Sequence, residues 1–132
     1  MADRLTEIAE ELYGAFNRGD QQTLAAHMSA EVEIVDPDRT GRTYRGFDGY
    51  RELVEEWLES WDEYSVEVQR LTRNGDRVLA DLVQRGVGKG SGVEFAEPFF
   101  QVLSFAEEKV VRFEIYNDRA DAERAAGLPD EK

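Results

Sequence analysis

Residues 64–87 read Y-S-V-E-V-Q-R-L-T-R-N-G-D-R-V-L-A-D-L-V-Q-R-G-V, and the pair at their centre, Asn74-Gly75, decides what kind of fold the chain builds. Asn-Gly takes the positive φ angles of a tight hairpin turn more readily than most pairs, and both flanks, Tyr64 to Arg73 and Arg77 to Val87, are strand-like. Val93 to Phe105 and Lys109 to Asn117 predict a second hairpin around Ala106-Glu107-Glu108. Between the hairpins, the glycines of G-V-G-K-G-S-G (86–92) permit a tight turn or a bulge. A phosphate-loop reading of them fails: Lys89 is followed by Gly90 rather than Ser or Thr, and a strand rather than a helix comes next.

Helices lie upstream of this strand-rich half. From Asp3 to Asn17 the residues Leu5, Ile8, Leu12, Ala15 and Phe16 recur at three- and four-residue spacing among glutamates, the pattern of an amphipathic helix. Arg18-Gly19-Asp20 ends that helix at the glycine and caps a second, short one running to about Met28. Glu31 to Val35 alternates as a half-buried strand, and after a Pro37 to Gly46 loop Asp48 can cap a third helix. That helix carries Leu53, Val54, Trp57, Leu58 and Trp61, with its two tryptophans four residues apart on one face. A last helix, capped by Asp118, closes at Gly127 and Pro129. The order α-α-β-α-β-β-β-β-α predicts an α+β fold, in which a curved antiparallel sheet carries helices on its concave side and encloses a conical cavity.

The 132 residues suit one domain, 1–132, because the candidate linkers, Asp36 to Gly46 and Gly86 to Gly92, are short and flanked by periodic segments. Sixteen Lys and Arg against 29 Asp and Glu give a formal charge of −13, which repels nucleic-acid phosphate and anionic membrane surfaces. With no Cys, neither a disulfide framework nor thiolate chemistry is available. The start of the chain carries acids where a signal peptide needs an apolar run, and no stretch of about 18 apolar residues occurs, so a cytoplasmic protein is expected.

Four stretches carry a resemblance: L-Y-G-A-F-N-R-G-D (12–20), E-V-E-I-V-D-P-D (31–38) with Y-R-G-F-D-G-Y-R-E (44–52), R-G-V-G-K-G-S-G-V-E (85–94) and V-V-R-F-E-I-Y-N-D-R-A-D-A-E-R-A-A-G-L (110–128). In this order they make the chain similar to the SnoaL-like branch of the nuclear-transport-factor-2-like superfamily, over nearly all of its length. The resemblance implies a cystatin-like cone of sheet and helices, and a homodimer formed through the outer face of the sheet. The superfamily holds isomerases, cyclases, dehydratases, hydrolases and non-catalytic binding modules, so the fold alone does not select a chemistry. Alignment with ketosteroid isomerase, a distant relative and a standard example of an Asp base beside a Tyr and protonated-Asp oxyanion hole, puts Asp36 at the base. The same alignment puts Leu12 at the oxyanion Tyr and Gln101 at the protonated Asp. Tyr13 stands one residue away, about 100° round the helix, which turns it from that position. Loss of a preorganised donor argues against the ketosteroid reaction itself and leaves Gln101 to donate to a substrate carbonyl.

Asp36 has two readings. As a strand-end residue before Pro37 it is ordinary turn chemistry, with Asp38 making the loop polar; buried beside Trp57 or Phe99 it becomes an acid–base group with a raised pKa. Tyr13, Phe16, Trp57 and Trp61 are candidate walls for a flat apolar ligand, and equally ordinary core. Along the third long strand Phe95, Glu97, Phe99, Gln101 and Leu103 share one face, which the alignment turns toward the cavity, so Glu97 is a second ionisable candidate unless it lies exposed at the mouth. Arg85 on the neighbouring strand pairs with Glu97 or an acidic substrate if it faces inward. On the last strand Val111, Phe113 and Ile115 alternate with Arg112, Glu114 and Tyr116, one set facing the cavity. His27, the single histidine, reads as a helix-end residue and lacks companions for a metal site. No metal and no cofactor is expected. The reading that follows is a pocket for a mostly apolar, carbonyl-bearing small molecule, with acid–base chemistry of cyclase, isomerase or dehydratase type carried by Asp36 and Gln101. The alternative is a ligand-binding or dimerisation module without catalysis.

Overall fold

The computed structural model describes residues 3–128; Pro129, the expected stop of the last helix, lies outside them. Helix α1 (Arg4–Arg18) is followed by α2 (Gln21–Ala26), strands β1 (Met28–Asp36) and β2 (Arg42–Arg45), and α3 (Gly46–Leu58). Strands β3 (Trp61–Asn74), β4 (Arg77–Gly88), β5 (Glu94–Ala106) and β6 (Lys109–Tyr116) precede α4 (Arg119–Ala126). The strands form one six-stranded sheet in the order β2-β1-β6-β5-β4-β3. All pairs are antiparallel except β1 with β6, which the chain can join in parallel because the intervening hairpins carry it back to the same end.

The helix caps follow the sequence. The Asp3 carboxylate accepts from Thr6 N, Asp20 from Thr23 N and Asp118 from Ala120 N, while Gly19 and Gly127 close α1 and α4 in the left-handed region. Three boundaries differ. The second helix stops at Ala26, so that Met28 already belongs to β1. The third begins at Gly46 with no side-chain cap, so Asp48 lies in its first turn instead of capping it. It ends at Leu58, and Trp61 opens β3 rather than standing a helical turn beyond Trp57. The cause is across the sheet: the Trp61 ring stacks on Phe95 with centroids 4.2 Å apart. That stack lies over Gly86, where an added Cβ would meet the Phe95 ring and the Glu63 carbonyl at 3.0 Å and the Trp61 ring at 3.1 Å.

Both hairpins form, each with a register of its own. Asn74 pairs with Arg77, so the first turn is Gly75-Asp76, with Gly75 at φ 64°, one residue later than the Asn74-Gly75 pair. The second turn is Glu107-Glu108, with φ 52° and 62° at two residues that carry a Cβ. A register shift between Ser104 and Phe105 puts Val110 in the core, fully buried, where simple alternation predicted Val111.

Strand alternation divides the sheet into two faces. Val78, Ala80, Leu82, Phe99, Leu103, Phe113 and Ile115 join Leu5, Ile8, Leu12 and Tyr13 of α1 in the main core. Leu79 and Val102, on the opposite face, pack with Ala122 and Ala126 of α4. The last helix therefore covers the convex side, whereas the sequence predicts the helices on the concave one. Asp81 holds α4 there: it accepts from Arg119 Nε at 2.6 Å, and Arg119 also reaches Glu123 at 2.5 Å. At the free edge, Asn17 of α1 accepts from Val66 N at 2.9 Å and donates to Val66 O at 2.8 Å, satisfying backbone groups that an edge strand leaves open. That clamp fixes the end of α1 against β3 and keeps the helix over the concave face.

Candidate functional site

Between the concave face and the helices lies a cavity of about 360 Å³. Its walls are mostly apolar: Leu12 and Phe16 of α1, Leu53 and Val54 of α3, Phe99 of β5 and Phe113 of β6 among them. Tyr50, Trp57 and Tyr64 add aromatic surface, with Tyr50 against Phe113 at 5.8 Å and Trp57 edge-on to Tyr64 at 6.2 Å.

Asp36 is buried at the cavity wall rather than solvated in the turn. It is the last residue of β1 and its inward neighbour along the strand is Ile34, so the pleat aims its side chain at the cavity. The turn beyond it closes through Gly41 N to Asp36 O at 2.8 Å, and Asp38, not Asp36, is the outer loop carboxylate, accepting from Asn117 N at 2.9 Å. Asp36 is 1% exposed. Its Oδ2 accepts from the Thr40 hydroxyl at 3.4 Å, while its Oδ1 is buried with no hydrogen-bond partner. Burial pushes the carboxyl above its ordinary pKa; the Arg39 guanidinium and hydrogen bonds from Thr40 pull the other way without cancelling it.

Gln101 lines the same cavity, and the Tyr13 hydroxyl donates to its Oε1 at 2.7 Å. Tyr13 thus lines the pocket, as expected, and its hydroxyl meets Gln101 although the residue stands one position along from the oxyanion Tyr of the alignment. The inward arc of α1 is wide enough to place both Leu12 and Tyr13 on the cavity wall, so the hydroxyl reaches β5 from one residue along the helix. With Oε1 engaged, the Gln101 amide nitrogen is the group left to face a ligand. Burial holds the Tyr13 hydroxyl well above its ordinary pKa, and burial likewise raises Tyr50 and Tyr64, so all three remain neutral donors.

Of the residues singled out from sequence, Asp36, Gln101, Tyr13, Phe16, Trp57, Phe99 and Phe113 come together around this space, and three do not. Trp61 lies outside it, stacked on Phe95. Arg85 is on the convex face, alternating with buried Gln84 and Gly86, and pairs with Glu67 at 3.4 Å. Glu97 is opposite Gln84 and on the concave face by register, but it is exposed beyond the lining, where its carboxylate keeps its hydration. His27 sits at the end of α2, 2.6 Å from Glu11, also away from the cavity.

Sequence reasoning missed Tyr50, Tyr64 and Arg39. Tyr50 stands three residues before Leu53 and extends the apolar stripe of α3, a signal the sequence carries; Tyr64 reads only as the start of a strand. Arg39 had no signal. It is a turn residue whose guanidinium carbon lies 4.4 Å from the Trp57 ring centroid and 5.3 Å from that of Phe99. Among the described residues, no three His, Asp or Glu side chains converge as a metal ion would require, and no helix is long and apolar enough to cross a membrane.

Comparison with solved structures gives the same fold. A nuclear-transport-factor-2-like protein of unknown function from Burkholderia pseudomallei superposes with a TM-score of 0.80 at 22% identity, covering 93% of this chain and 97% of its own. TerC, crystallised with polyporic acid, gives 0.79 at 18% identity, with 95% and 99% covered. A protein with a ketosteroid isomerase-like fold from Catenulispora acidiphila, in complex with trimethylamine, gives 0.75 at 23% identity, with 93% and 94% covered. No curated protein sequence matches the chain. The profile of the SnoaL-like domain matches residues 9–113, a span that runs from α1 through Phe113 and includes every lining residue named above, and the chain belongs to that family.

Proposed function

We propose that the cavity binds a mostly apolar, carbonyl-bearing small molecule and that Asp36 moves a proton on it, in chemistry of the cyclase, isomerase or dehydratase type. One observation carries this reading: a carboxylate 1% exposed, with one oxygen lacking any partner, opens on the same cavity as an amide whose oxygen is already held by Tyr13. In the proposed step the Asp36 carboxylate takes a proton from the carbon next to the ligand carbonyl. The C–H electron pair becomes the C=C bond of an enolate while the carbonyl π pair moves onto oxygen, which accepts a hydrogen bond from Gln101 Nε2, and Asp36 then returns the proton to another atom of the ligand as the carbonyl re-forms. A raised pKa suits this role, since a base works best when its proton affinity approaches the operating pH. The bond from Tyr13 polarises the Gln101 amide and strengthens its N–H as a donor. The apolar walls exclude water and leave the body of the ligand to supply binding. The homodimer implied by the resemblance remains part of the proposal, confined to the outer sheet surface that α4 leaves open.

The test needs no knowledge of the natural substrate. A small apolar ketone such as 2-tetralone is incubated in D2O and loss of its α-protons is followed by NMR. The protein is expected to accelerate exchange by about a hundred- to ten-thousandfold, the usual contribution of a positioned base, and Asp36→Asn to abolish the acceleration while retaining binding. Binding without accelerated exchange in the unsubstituted protein would leave a non-catalytic pocket. Absence of binding would remove both halves of the proposal.

A further inference from the structure

Among the described residues, the cavity lining contains one cation, Arg39, and nothing in the acid–base scheme above uses it. Its guanidinium carbon lies within cation–π reach of both the Trp57 and Phe99 rings, with one terminal nitrogen, Nη2, buried and without a hydrogen-bond partner. No ion pair forms between Arg39 and any described carboxylate, although Asp36 is near enough for its charge to be felt. The other acid of the lining, Glu56, is occupied: Arg42 Nη2 donates to its two oxygens at 3.2 and 3.4 Å and the Tyr44 hydroxyl donates at 3.3 Å. A guanidinium cannot shed its charge as a buried carboxyl can, because it does not deprotonate in a protein. Contact with the rings compensates part of the lost hydration but leaves Nη2 unpaired.

We propose that Arg39 receives an ionised oxygen of the ligand, so that the molecule bound in this pocket is an apolar body carrying a carboxylate or another ionised oxygen acid in addition to its carbonyl. The proposal deepens the ligand-binding reading and rests on it. Arg39 here is a binding residue: the two rings hold its guanidinium at the cavity wall, and the guanidinium fixes which end of the ligand lies at the β1–β2 loop. This also assigns a local role to a positive group in a chain whose formal charge is −13 and whose surface as a whole disfavours anions. The selection for an anion is made at short range, inside the cavity, where screening is weak.

The experiment compares two probes of nearly equal shape, 2-naphthoate and its neutral amide, by titration calorimetry against the unsubstituted protein and the variants Arg39→Met and Arg39→Lys. A charge-assisted contact of this kind is expected to favour the carboxylate by about tenfold to a hundredfold. In Arg39→Met the ratio should fall to about one, chiefly through loss of naphthoate affinity. Arg39→Lys should retain part of the preference, since it keeps the charge and loses the fork. If both probes bind the unsubstituted protein equally, or the ratio persists in Arg39→Met, the anion assignment is overturned while the apolar pocket stands. If neither probe binds, both readings fall. The comparison of the two probes on the unsubstituted protein requires no variant and decides the matter even if Arg39→Met does not fold.

Discussion

Replacing Asp36 by Asn should stabilise the protein at neutral pH, and the gain should vanish in acid. The side chain is 1% exposed, its Oδ1 has no partner, and its Oδ2 meets the Thr40 hydroxyl only at 3.4 Å. Ionising a carboxyl in that setting forfeits hydration that the protein returns in part, so burial lifts the folded-state pKa above the ordinary 3.8. The folded chain therefore holds this proton more tightly than the unfolded one. Any stability contributed by protonation is complete below about pH 3.8 and is lost as pH rises through the folded-state value, so at pH 7 the ionised group is a net liability to the fold. Asn keeps the shape and an acceptor for Thr40 without the charge. Relief of an under-satisfied buried carboxylate is worth on the order of 1 kcal/mol, or about 3–5 °C in Tm for a chain of this length. Thermal unfolding of the two proteins between pH 3.5 and 8 measures it: the Tm difference should grow with pH and shrink toward zero at the acid end. A lower Tm for Asp36→Asn at pH 7, or a difference independent of pH, would mean that the charged form is well satisfied, and the electrostatic argument for Asp36 as a base would fail with it.

Two further predictions concern the frame that holds the site. Glu107 and Glu108 adopt φ of 52° and 62°, where a side chain costs roughly 1–2 kcal/mol per residue, so E107N/E108G should stabilise the second hairpin. Glycine's greater unfolded freedom and loss of the exposed Arg4–Glu108 contact offset part of this, leaving about 1 kcal/mol net by urea titration; no gain would mean that the turn is relaxed as it stands. Gly86→Ala should destabilise by roughly 1–3 kcal/mol, because the new Cβ has three groups at 3.0–3.1 Å and one of them is backbone. Since Trp61 and Phe95 lie outside the cavity lining, naphthoate affinity measured under folding conditions should change little; a parallel loss of affinity would show that the stack also shapes the cavity.

The parts of this protein that local chemistry decides were readable in its sequence. Asp3, Asp20 and Asp118 cap because a short carboxylate before a helix has free amides within reach, and the period of two along β5 put Phe99 and Gln101 on one face wherever the strand was to lie. The resemblance then named Asp36 and Gln101 as partners, though nothing in the local pattern brought β1 and β5 together. What the sequence left undecided depended on groups far apart in the chain. Trp57 and Trp61 kept helical spacing on paper, but the helix ends at Leu58 because Phe95 and Gly86, across the sheet, offer the second indole a better surface. Whether Asp36 was a solvated turn residue or a buried acid turned on the cover given by α3 and the loop through Thr40, and Arg39 became part of the site only when Trp57 and Phe99 supplied faces for it. Periodicity states which way a side chain points relative to its neighbours along the chain. It is the packing of distant elements that decides what it meets, how much water it keeps, and hence what chemistry it can do.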